Sequence, residues 1–299
     1  MRALLFLLAS LTFCVGGPTL SFAATIYITP MGQGDAPNIQ AGINSADPGD
    51  TILLADGWFA GNGNRDIDFA GKIVVVRSEH GDPANCVIHC EGTAQQPHVG
   101  FIFQTGETPD AIVQGVTIQY AWGAGVQCDP EGATEGASPT FRNCRFTNNT
   151  GSGLECFVSQ PTLIDCVFGY NTGDGVTLNE SNVVFDDCVF TSNASAGLDA
   201  YGSVTATNCE FSNNGQAGAK VRGIQAEFNG CDFSSNFGGG LISDESELEL
   251  TNCLVYDNEI LGVELVGSDI PQDTTRATLT RCTLWNNLGS GMVVENGEA

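Results

Sequence analysis

Residues 144–153 read CRFTNNTGSG, and 22 positions later residues 166–175 read CVFGYNTGDG. Each copy of this pattern has a Cys, an Asn five residues later and a Gly nine residues later. The cysteines are separated by 22, 22, 21, 22, 22 and 29 residues: Cys144, Cys166, Cys188, Cys209, Cys231, Cys253 and Cys282. The asparagines are Asn149, Asn171, Asn193, Asn214, Asn236, Asn258 and Asn287. A fixed period of this length indicates an array of stacked structural units.

Short apolar alternations within each copy predict very short strands. In one copy Cys166 and Phe168 are followed by Val176 and Leu178, and no copy shows helical spacing. A chain that closes one turn every ~22 residues stacks its turns ~4.8 Å apart and buries a core only by stacking. The sequence therefore predicts an all-β, single-stranded parallel β-helix. A leucine-rich repeat is the alternative of similar period, but the repeated positions hold Cys, Phe, Val and Gly instead of Leu.

The repeated residues have separate predicted roles. Each Asn is expected to adopt left-handed dihedrals and to bond from coil to coil as a structural ladder. The Gly is expected to supply a positive φ where the next strand begins. Cys and Phe are expected to point inward, with the stacked thiols acting as small apolar residues. Cys86 with Cys90, and Cys128 with Cys156, are the better disulfide candidates.

The composition excludes several classes of function. The chain has 35 acidic against 10 basic residues, a formal net charge of −25, so a surface that binds nucleic acid or anionic lipid through a basic patch is not expected. Hydrophobic residues make up 42 %, too many for a disordered acidic tail. No stretch after the first residues is apolar for the ~18 positions that a transmembrane span requires.

Residues 1–23 have the pattern of a signal peptide. Arg2 precedes an apolar run from Ala3 to Val15, and small residues stand at Ser21 and Ala23. The predicted organisation is a leader over 1–23 and one β-helix domain over 24–299, in a protein that is secreted or held at the cell surface. Residues 295–299 read ENGEA and contain no capping helix, so a C-terminal continuation or a partner is expected to cover the last coil.

The sequence resembles the right-handed parallel β-helix proteins of pectin-lyase-like type found among bacterial secreted proteins. The resemblance is carried by residues 39–43 (IQAGI), 48–52 (PGDTI) and 138–144 (SPTFRNC), and it extends over about 25–299. It implies a right-handed helix with a short N-terminal capping helix, a role that Asn38 to Ala46 would fill. It is specific for the fold and weak for the activity.

Candidate catalytic residues are few. Lys220 and Arg222 form the sole basic cluster in the coils, with Asp199 one coil before and Asp244 one coil after. A lyase would need such a base beside calcium-binding carboxylates. The favoured interpretation is that these basic residues relieve repulsion among stacked acids. The sequence contains no metal-ligand motif, and Ca²⁺ at acidic rows such as Glu210 with Asp232 is the one cofactor left open.

Tyr256 and Trp285 each stand three residues after a Cys in consecutive coils. They are expected to lie side by side on one face and to form a platform for the apolar face of a sugar. The predicted function is a secreted or surface scaffold, without catalytic machinery, that binds carbohydrate along one face. The alternative is a polysaccharide lyase or glycoside hydrolase acting on an acidic polysaccharide.

Overall fold

The computed structural model describes residues 23–128, 136–223, 225–267 and 275–295. Nearly all of the predicted leader and the last four residues lie outside this range. The described part contains one helix, α1 (Ile39–Ser45), and short parallel strands. The strands are β1 (Thr25–Ile28), β2 (Thr51–Leu54), β3 (Gly57–Phe59), β4 (Ile67–Asp68), β5 (Val75–Ser78), β6 (Cys86–His89), β7 (Phe101–Phe103), β8 (Ile112–Gln114), β9 (Thr117–Gln119), β10 (Val126–Cys128), β11 (Thr140–Arg142), β12 (Arg145–Thr147), β13 (Leu154–Phe157), β14 (Thr162–Ile164), β15 (Val167–Gly169), β16 (Val176–Asp186), β17 (Val189–Thr191), β18 (Leu198–Thr207), β19 (Glu210–Ser212), β20 (Ala217–Arg222), β21 (Gln225–Asn229), β22 (Asp232–Ser234), β23 (Gly239–Asp244), β24 (Glu247–Thr251), β25 (Leu254–Tyr256), β26 (Val263–Val266), β27 (Arg276–Thr280), β28 (Thr283–Trp285) and β29 (Met292–Glu295).

The strands form three parallel faces around one core. Sheet 1 runs β1, β2, β5, β8, β11, β14, the end of β16, the end of β18, β21, β24 and β27. Sheet 2 runs β3, β6, β9, β12, β15, β17, β19, β22, β25 and β28. Sheet 3 runs β4, β7, β10, β13, the start of β16, the start of β18, β20, β23, β26 and β29. Each regular coil gives one strand to each sheet, which confirms the predicted parallel β-helix.

Helix α1 closes the N-terminal end of the core. The Asn38 side chain caps it by accepting a hydrogen bond from the Ala41 amide at 2.8 Å. Ile39 and Ile43 are fully buried in the hydrophobic core. At the other end, Lys72 Nζ donates to the carbonyls of Ile43, Asn44 and Ala46 in the last turn and at the C-cap of the helix. The predicted capping helix is therefore present where the sequence placed it.

Identical side chains stack inside the core. Five phenylalanine rings of sheet 2 lie one above another with centroid separations of 4.7, 5.0, 4.5 and 4.8 Å: Phe146, Phe168, Phe190, Phe211 and Phe233. Their planes are within 17° of parallel. Because the spacing of strands equals a favourable ring separation, sheet geometry and aromatic stacking reinforce each other.

The asparagines form a continuous ladder at the corner between sheets 2 and 3. Each Nδ2 donates to the Oδ1 of the next Asn over 2.9–3.1 Å, from Asn149 to Asn287. The same Oδ1 atoms also accept from the backbone amides of the preceding rungs. The expectation of left-handed dihedrals at these residues was wrong. The left-handed residue is the one before each Asn, such as Asn148 with φ 57° and Ser192 with φ 58°.

The repeated glycines are explained by the close approach of neighbouring coils and not by their backbone dihedral angles. Gly153, Gly175 and Gly197 are not among the residues with positive φ. A Cβ added at Gly175 would lie 2.4 Å from the Gly197 carbonyl oxygen and 2.9 Å from Asn193 Nδ2. The Gly therefore lets successive coils approach closely beside the ladder.

Most of the cysteines are buried thiols. Cys86 and Cys90 are free, so the predicted bridge between them is absent; both point into the packed core from the same strand region. Burial raises the pKa of each to about 12. Cys128 and Cys156 face each other on β10 and β13. In the column from Cys144 to Cys282, only Cys282 is partly exposed.

Replacing Asn193 by Ala should strongly destabilise the helix. The change removes two donated and two accepted hydrogen bonds of the side chain; the buried Asn171 backbone N–H loses its acceptor and the Phe168 carbonyl loses the Nδ2 donor. Each unsatisfied buried group costs about 1–3 kcal/mol, so we expect a loss of at least about 2 kcal/mol. Equilibrium urea unfolding measures this. The exposed Asn182→Ala variant is the control, and equal midpoints for the two variants would contradict the role of the ladder.

Thiol labelling should distinguish Cys282 from the other cysteines of the column. In a chain that lacks the leader, a disulfide reagent should modify Cys282 first and the others only after unfolding, because they have no solvent contact. Mass spectrometry of the labelled peptides identifies the site. The fast phase should vanish in Cys282→Ser; a native Cys188 or Cys209 that reacts equally fast would contradict the buried column.

Candidate functional site

Exposed aromatic side chains gather at the N-terminal end of the sheet 2 face. Trp58 and Tyr170 are each 63 % exposed, and Tyr120 is 47 % exposed. His89 stacks on Trp58 with ring centroids 5.4 Å apart and on Tyr120 at 4.8 Å. We call Trp58, His89, Tyr120, Arg145 and Tyr170 the aromatic groove.

Three of the groove residues, Trp58, Arg145 and Tyr170, line a shallow depression on this face. Ala84, from the loop before β6, lines it together with Gln119, Thr147 and Asn148. The loop is fixed where Thr117 Oγ1 donates to the Pro83 carbonyl at 2.7 Å, and where Asn143 Nδ2 donates to the Gly81 carbonyl at 2.7 Å. The depression combines ring faces with amide and hydroxyl groups, a pattern common in small-molecule sites.

Two of the groove tyrosines occupy left-handed backbone positions. Tyr120 has φ 59° and Tyr170 has φ 58°. Other coils place Asn, Ser or Asp at this position, and Asn and Asp adopt the left-handed region at low cost. A bulky ring is unfavourable there, so these tyrosines are not explained by folding alone.

Tyr256 and Trp285 lie at the opposite end of the same face. They are register partners on β25 and β28, and their rings are 5.2 Å apart with planes 7° from parallel. Rings lying edge to edge in one plane could not approach this closely, so the two overlap face to face. The two rings are neighbours, as the sequence predicts, but they stack on each other instead of lying side by side as a platform. Trp285 is 51 % exposed.

A pair of carboxylates lies between the two aromatic clusters. Glu210 and Asp232 are register partners on β19 and β22. Ser212 Oγ donates to Glu210 Oε1 at 2.6 Å, and Tyr256 Oη donates to Asp232 Oδ2 at 3.5 Å. Burial and then the charge of Glu210 raise the pKa of Asp232. These are the acidic residues of the sheet 2 strands, and Arg145 is the basic one.

The predicted basic cluster lies on the outer face of sheet 3. Asp199 is the register partner of Lys220, and Asp244 is that of Arg222. Arg222 forms its ion pair diagonally with Asp199, so the expected pairing with Asp244 gives no ion pair in the described part of the chain. Lys220 Nζ donates to Gln216 Oε1. Both cations therefore already have partners, Arg222 in a carboxylate and Lys220 in an amide oxygen.

Two carboxylates beside this cluster are partly buried. Burial raises the pKa of Glu155, with a hydrogen bond from Gln127 opposing the rise and Asp174 adding to it. Burial likewise raises the pKa of Asp174, which accepts from the Ala196 amide at 2.8 Å and from Thr177 Oγ1 at 3.1 Å. Raised carboxyl pKa values beside a lysine are the setting in which acid–base chemistry occurs.

Comparison with known proteins places the fold. The family model described as right handed beta helix region matches residues 59–181 and 158–299. The chain belongs to the right-handed β-helix family. No curated protein matches this β-helix.

No helix of the described residues is long and apolar enough to cross a membrane. The same residues contain no group of three or more metal-ligating side chains suited to hold an ion.

Three solved structures illustrate the likeness. The pectate lyase Pel9A is 18 % identical with a TM-score of 0.66, covering 93 % of this chain and 79 % of that one. The A-module of the mannuronan C-5 epimerase AlgE4 from Azotobacter vinelandii is 14 % identical with a TM-score of 0.56, covering 87 % and 90 %. The catalytic unit of an α-1,3-glucanase from Streptomyces thermodiastaticus is 13 % identical with a TM-score of 0.52, covering 95 % and 69 %. At these identities the likeness shows the fold alone.

Sequence reasoning missed the aromatic groove and the buried carboxylates. Trp58 and His89 precede the regular repeats, although His89 stands three residues after Cys86, the same offset at which Tyr256 and Trp285 follow their cysteines. Tyr120 and Tyr170 carried a usable signal, since each stands directly before the ladder position of its coil. Glu155 and Asp174 carried none, because their burial depends on neighbours in other coils.

Replacing Glu155 by Gln should stabilise this β-helix at pH 7 but not in acid. A carboxyl whose pKa is raised on folding favours the folded state while it is protonated, and this contribution is lost as the pH rises through the folded pKa. Because Gln has no ionised form, the variant does not lose this stability as the pH rises. Below the ordinary value of 4.5 the two proteins should converge. Thermal unfolding against pH measures this, with the exposed Glu259→Gln as control; equal gains in both variants would contradict the assignment.

Proposed function

We propose that this protein is an exported β-helix that binds polysaccharide along the outer face of sheet 2. The observation that carries the proposal is the pair of exposed aromatic clusters on this one face, the aromatic groove at one end and Tyr256 with Trp285 at the other. Export rests on the signal-peptide pattern of residues 1–23.

The chemistry of the groove suits a sugar. The C–H face of a pyranose packs against an aromatic ring, while its hydroxyls need donors and acceptors beside the ring. Trp58 and Tyr170 supply exposed rings, and Gln119, Thr147 and Asn148 supply polar groups in the same depression. The two left-handed tyrosines support this function, since the backbone favours smaller residues at their positions.

Cleavage of a polysaccharide at sheet 3 is the second candidate function. It is favoured by Glu155 and Asp174 beside Lys220, since burial raises the pKa of both carboxyls and a carboxyl with a raised pKa can act in proton transfer. The ion pair of Arg222 with Asp199 and the bond of Lys220 to Gln216 count against it, because both cations are already engaged.

Binding should be lost when groove rings are removed. On a panel of neutral glycans and polyuronates, with and without Ca²⁺, we expect Trp58→Ala and Tyr170→Ala each to weaken binding roughly tenfold, about 1.4 kcal/mol. Isothermal titration calorimetry measures the affinity. Phe237→Ala is the matched control, since Phe237 is an exposed ring outside sheet 2. Binding that survives both groove variants but disappears in Tyr201→Ala, on sheet 3, would contradict the proposal.

The same panel tests for turnover. Release of products, abolished by Lys220→Ala and by Glu155→Gln, would establish the sheet 3 cluster as an enzyme site. Binding without products, unaffected by those two changes, supports a binding protein.

A further inference from the structure

We infer that one long, unbranched, uncharged polysaccharide lies parallel to the helix axis and occupies both aromatic clusters of sheet 2 at once. This rests on the proposed function and names the ligand class of that site. The clusters belong to one continuous sheet of ten strands from β3 to β28. At ~4.8 Å per strand, the face extends for roughly 40 Å.

A lane of small side chains connects the clusters. The register aligns one outward residue per coil between Gln119 and Tyr256: Thr147, Gly169, Thr191, Ser212 and Ser234. Larger side chains border this lane, among them Val189 and Glu210 on one side and Tyr170 on the other. Thr147 and Thr191 are partly exposed, whereas Gly169, Ser212 and Ser234 are buried beneath their taller neighbours. The lane is therefore a shallow path whose accessible hydroxyls are those of the two threonines.

The orientation of the polysaccharide follows from the arrangement of outward side chains on sheet 2. Each strand of sheet 2 offers only two outward side chains, so a chain crossing the sheet would meet few residues. A chain following the axis would meet one outward residue of the lane in every coil. Both ends of the lane are aromatic, at His89 and at Tyr256 with Trp285.

The carboxylates of Glu210 and Asp232 favour an uncharged ligand. Glu210 and Asp232 border the lane in the last two coils before the C-terminal cluster, and Tyr256 Oη donates to Asp232. The whole chain carries a net charge of −25. A polyanion lying in the lane would place its charges beside both carboxylates, whereas sugar hydroxyls can donate hydrogen bonds to them.

Occupying both clusters with one chain should raise affinity beyond either cluster alone. Once one end is bound, the other end is held near its cluster at a high effective concentration, so the gain can reach 10²–10⁴-fold without new contacts. A short oligosaccharide cannot span the distance between the two clusters. We therefore expect two short oligosaccharides to bind each protein molecule, one at each cluster.

The test is a length series of β-1,3-linked, β-1,4-linked and α-1,3-linked glucose oligosaccharides, from about two to about ten units, titrated calorimetrically. We expect weak two-site binding of short members and one-site binding of long members that is at least about a hundredfold tighter. Thr191→Trp should reduce the long oligosaccharides to the affinity of the short ones by filling the lane. Thr205→Trp, on the exposed face of sheet 1, is the control for a bulky substitution.

The outcomes separate this inference from the function on which it rests. If short members bind but affinity does not increase with oligosaccharide length, the inference is overturned and the proposed function stands. The same holds if Thr191→Trp does not change the affinity of the long members. Absence of binding by every member overturns both. Oligogalacturonates should bind at least tenfold more weakly than the uncharged chains, and the Glu210→Gln, Asp232→Asn double variant should remove that difference. Equal binding of oligogalacturonates by the unchanged protein overturns the assignment of an uncharged ligand.

Discussion

The hydrogen bond from one asparagine amide to the next is the interaction on which the structure depends. The corner between sheets 2 and 3 turns through a left-handed residue, which leaves backbone amides pointing into the coil interior. Each Asn Oδ1 accepts one of these amides together with the Nδ2 of its neighbour. A buried polar group without a partner is costly, so the amide at this corner is satisfied only if the next coil supplies an Asn. The requirement fixes the register, and the register in turn stacks Phe on Phe and Cys on Cys.

Strict stacking determines where function can reside. Inward positions are restricted to residues that pack on their copies above and below, and the repeated Gly must stay small because a neighbouring carbonyl lies against it. Outward positions carry no such restriction, since each coil contacts only its neighbours. A run of related outward residues along one sheet is therefore informative, because folding does not demand it. The aromatic residues at the two ends of the lane on sheet 2 are such residues, whereas Gly169 within the lane is kept small by the Thr191 carbonyl.

The fold could be predicted from the sequence because a period is a one-dimensional property. The interval between cysteines, the Asn five residues later and the Phe two residues later were enough to place β12, β15 and β17 in one sheet. The capping helix was implied by the resemblance to secreted β-helix proteins, whose first coil the segment with Ile39 and Ile43 could close. Dihedral angles could not be assigned in this way. Asn149 and its preceding residue both lie in the turn, and only the coordinates show that Asn148 is the left-handed one. The role of Gly175 was misread for the same reason, since close approach of another coil is a three-dimensional property.

The candidate site was less predictable because its residues do not share one position in the repeat. Tyr256 and Trp285 do, and sequence reasoning placed them together, but the angle between their rings depends on side-chain torsions that a period does not specify. The groove is assembled from Trp58 in an irregular first coil, His89 in the next and Tyr170 at a turn position, with a loop across the corner as its wall. The fold of a solenoid can therefore be predicted from its repeats, while its binding surface arises where the repeat is interrupted. The left-handed tyrosines show this most directly, because they depart from the residue type that the turn favours and yet leave the ladder beside them intact.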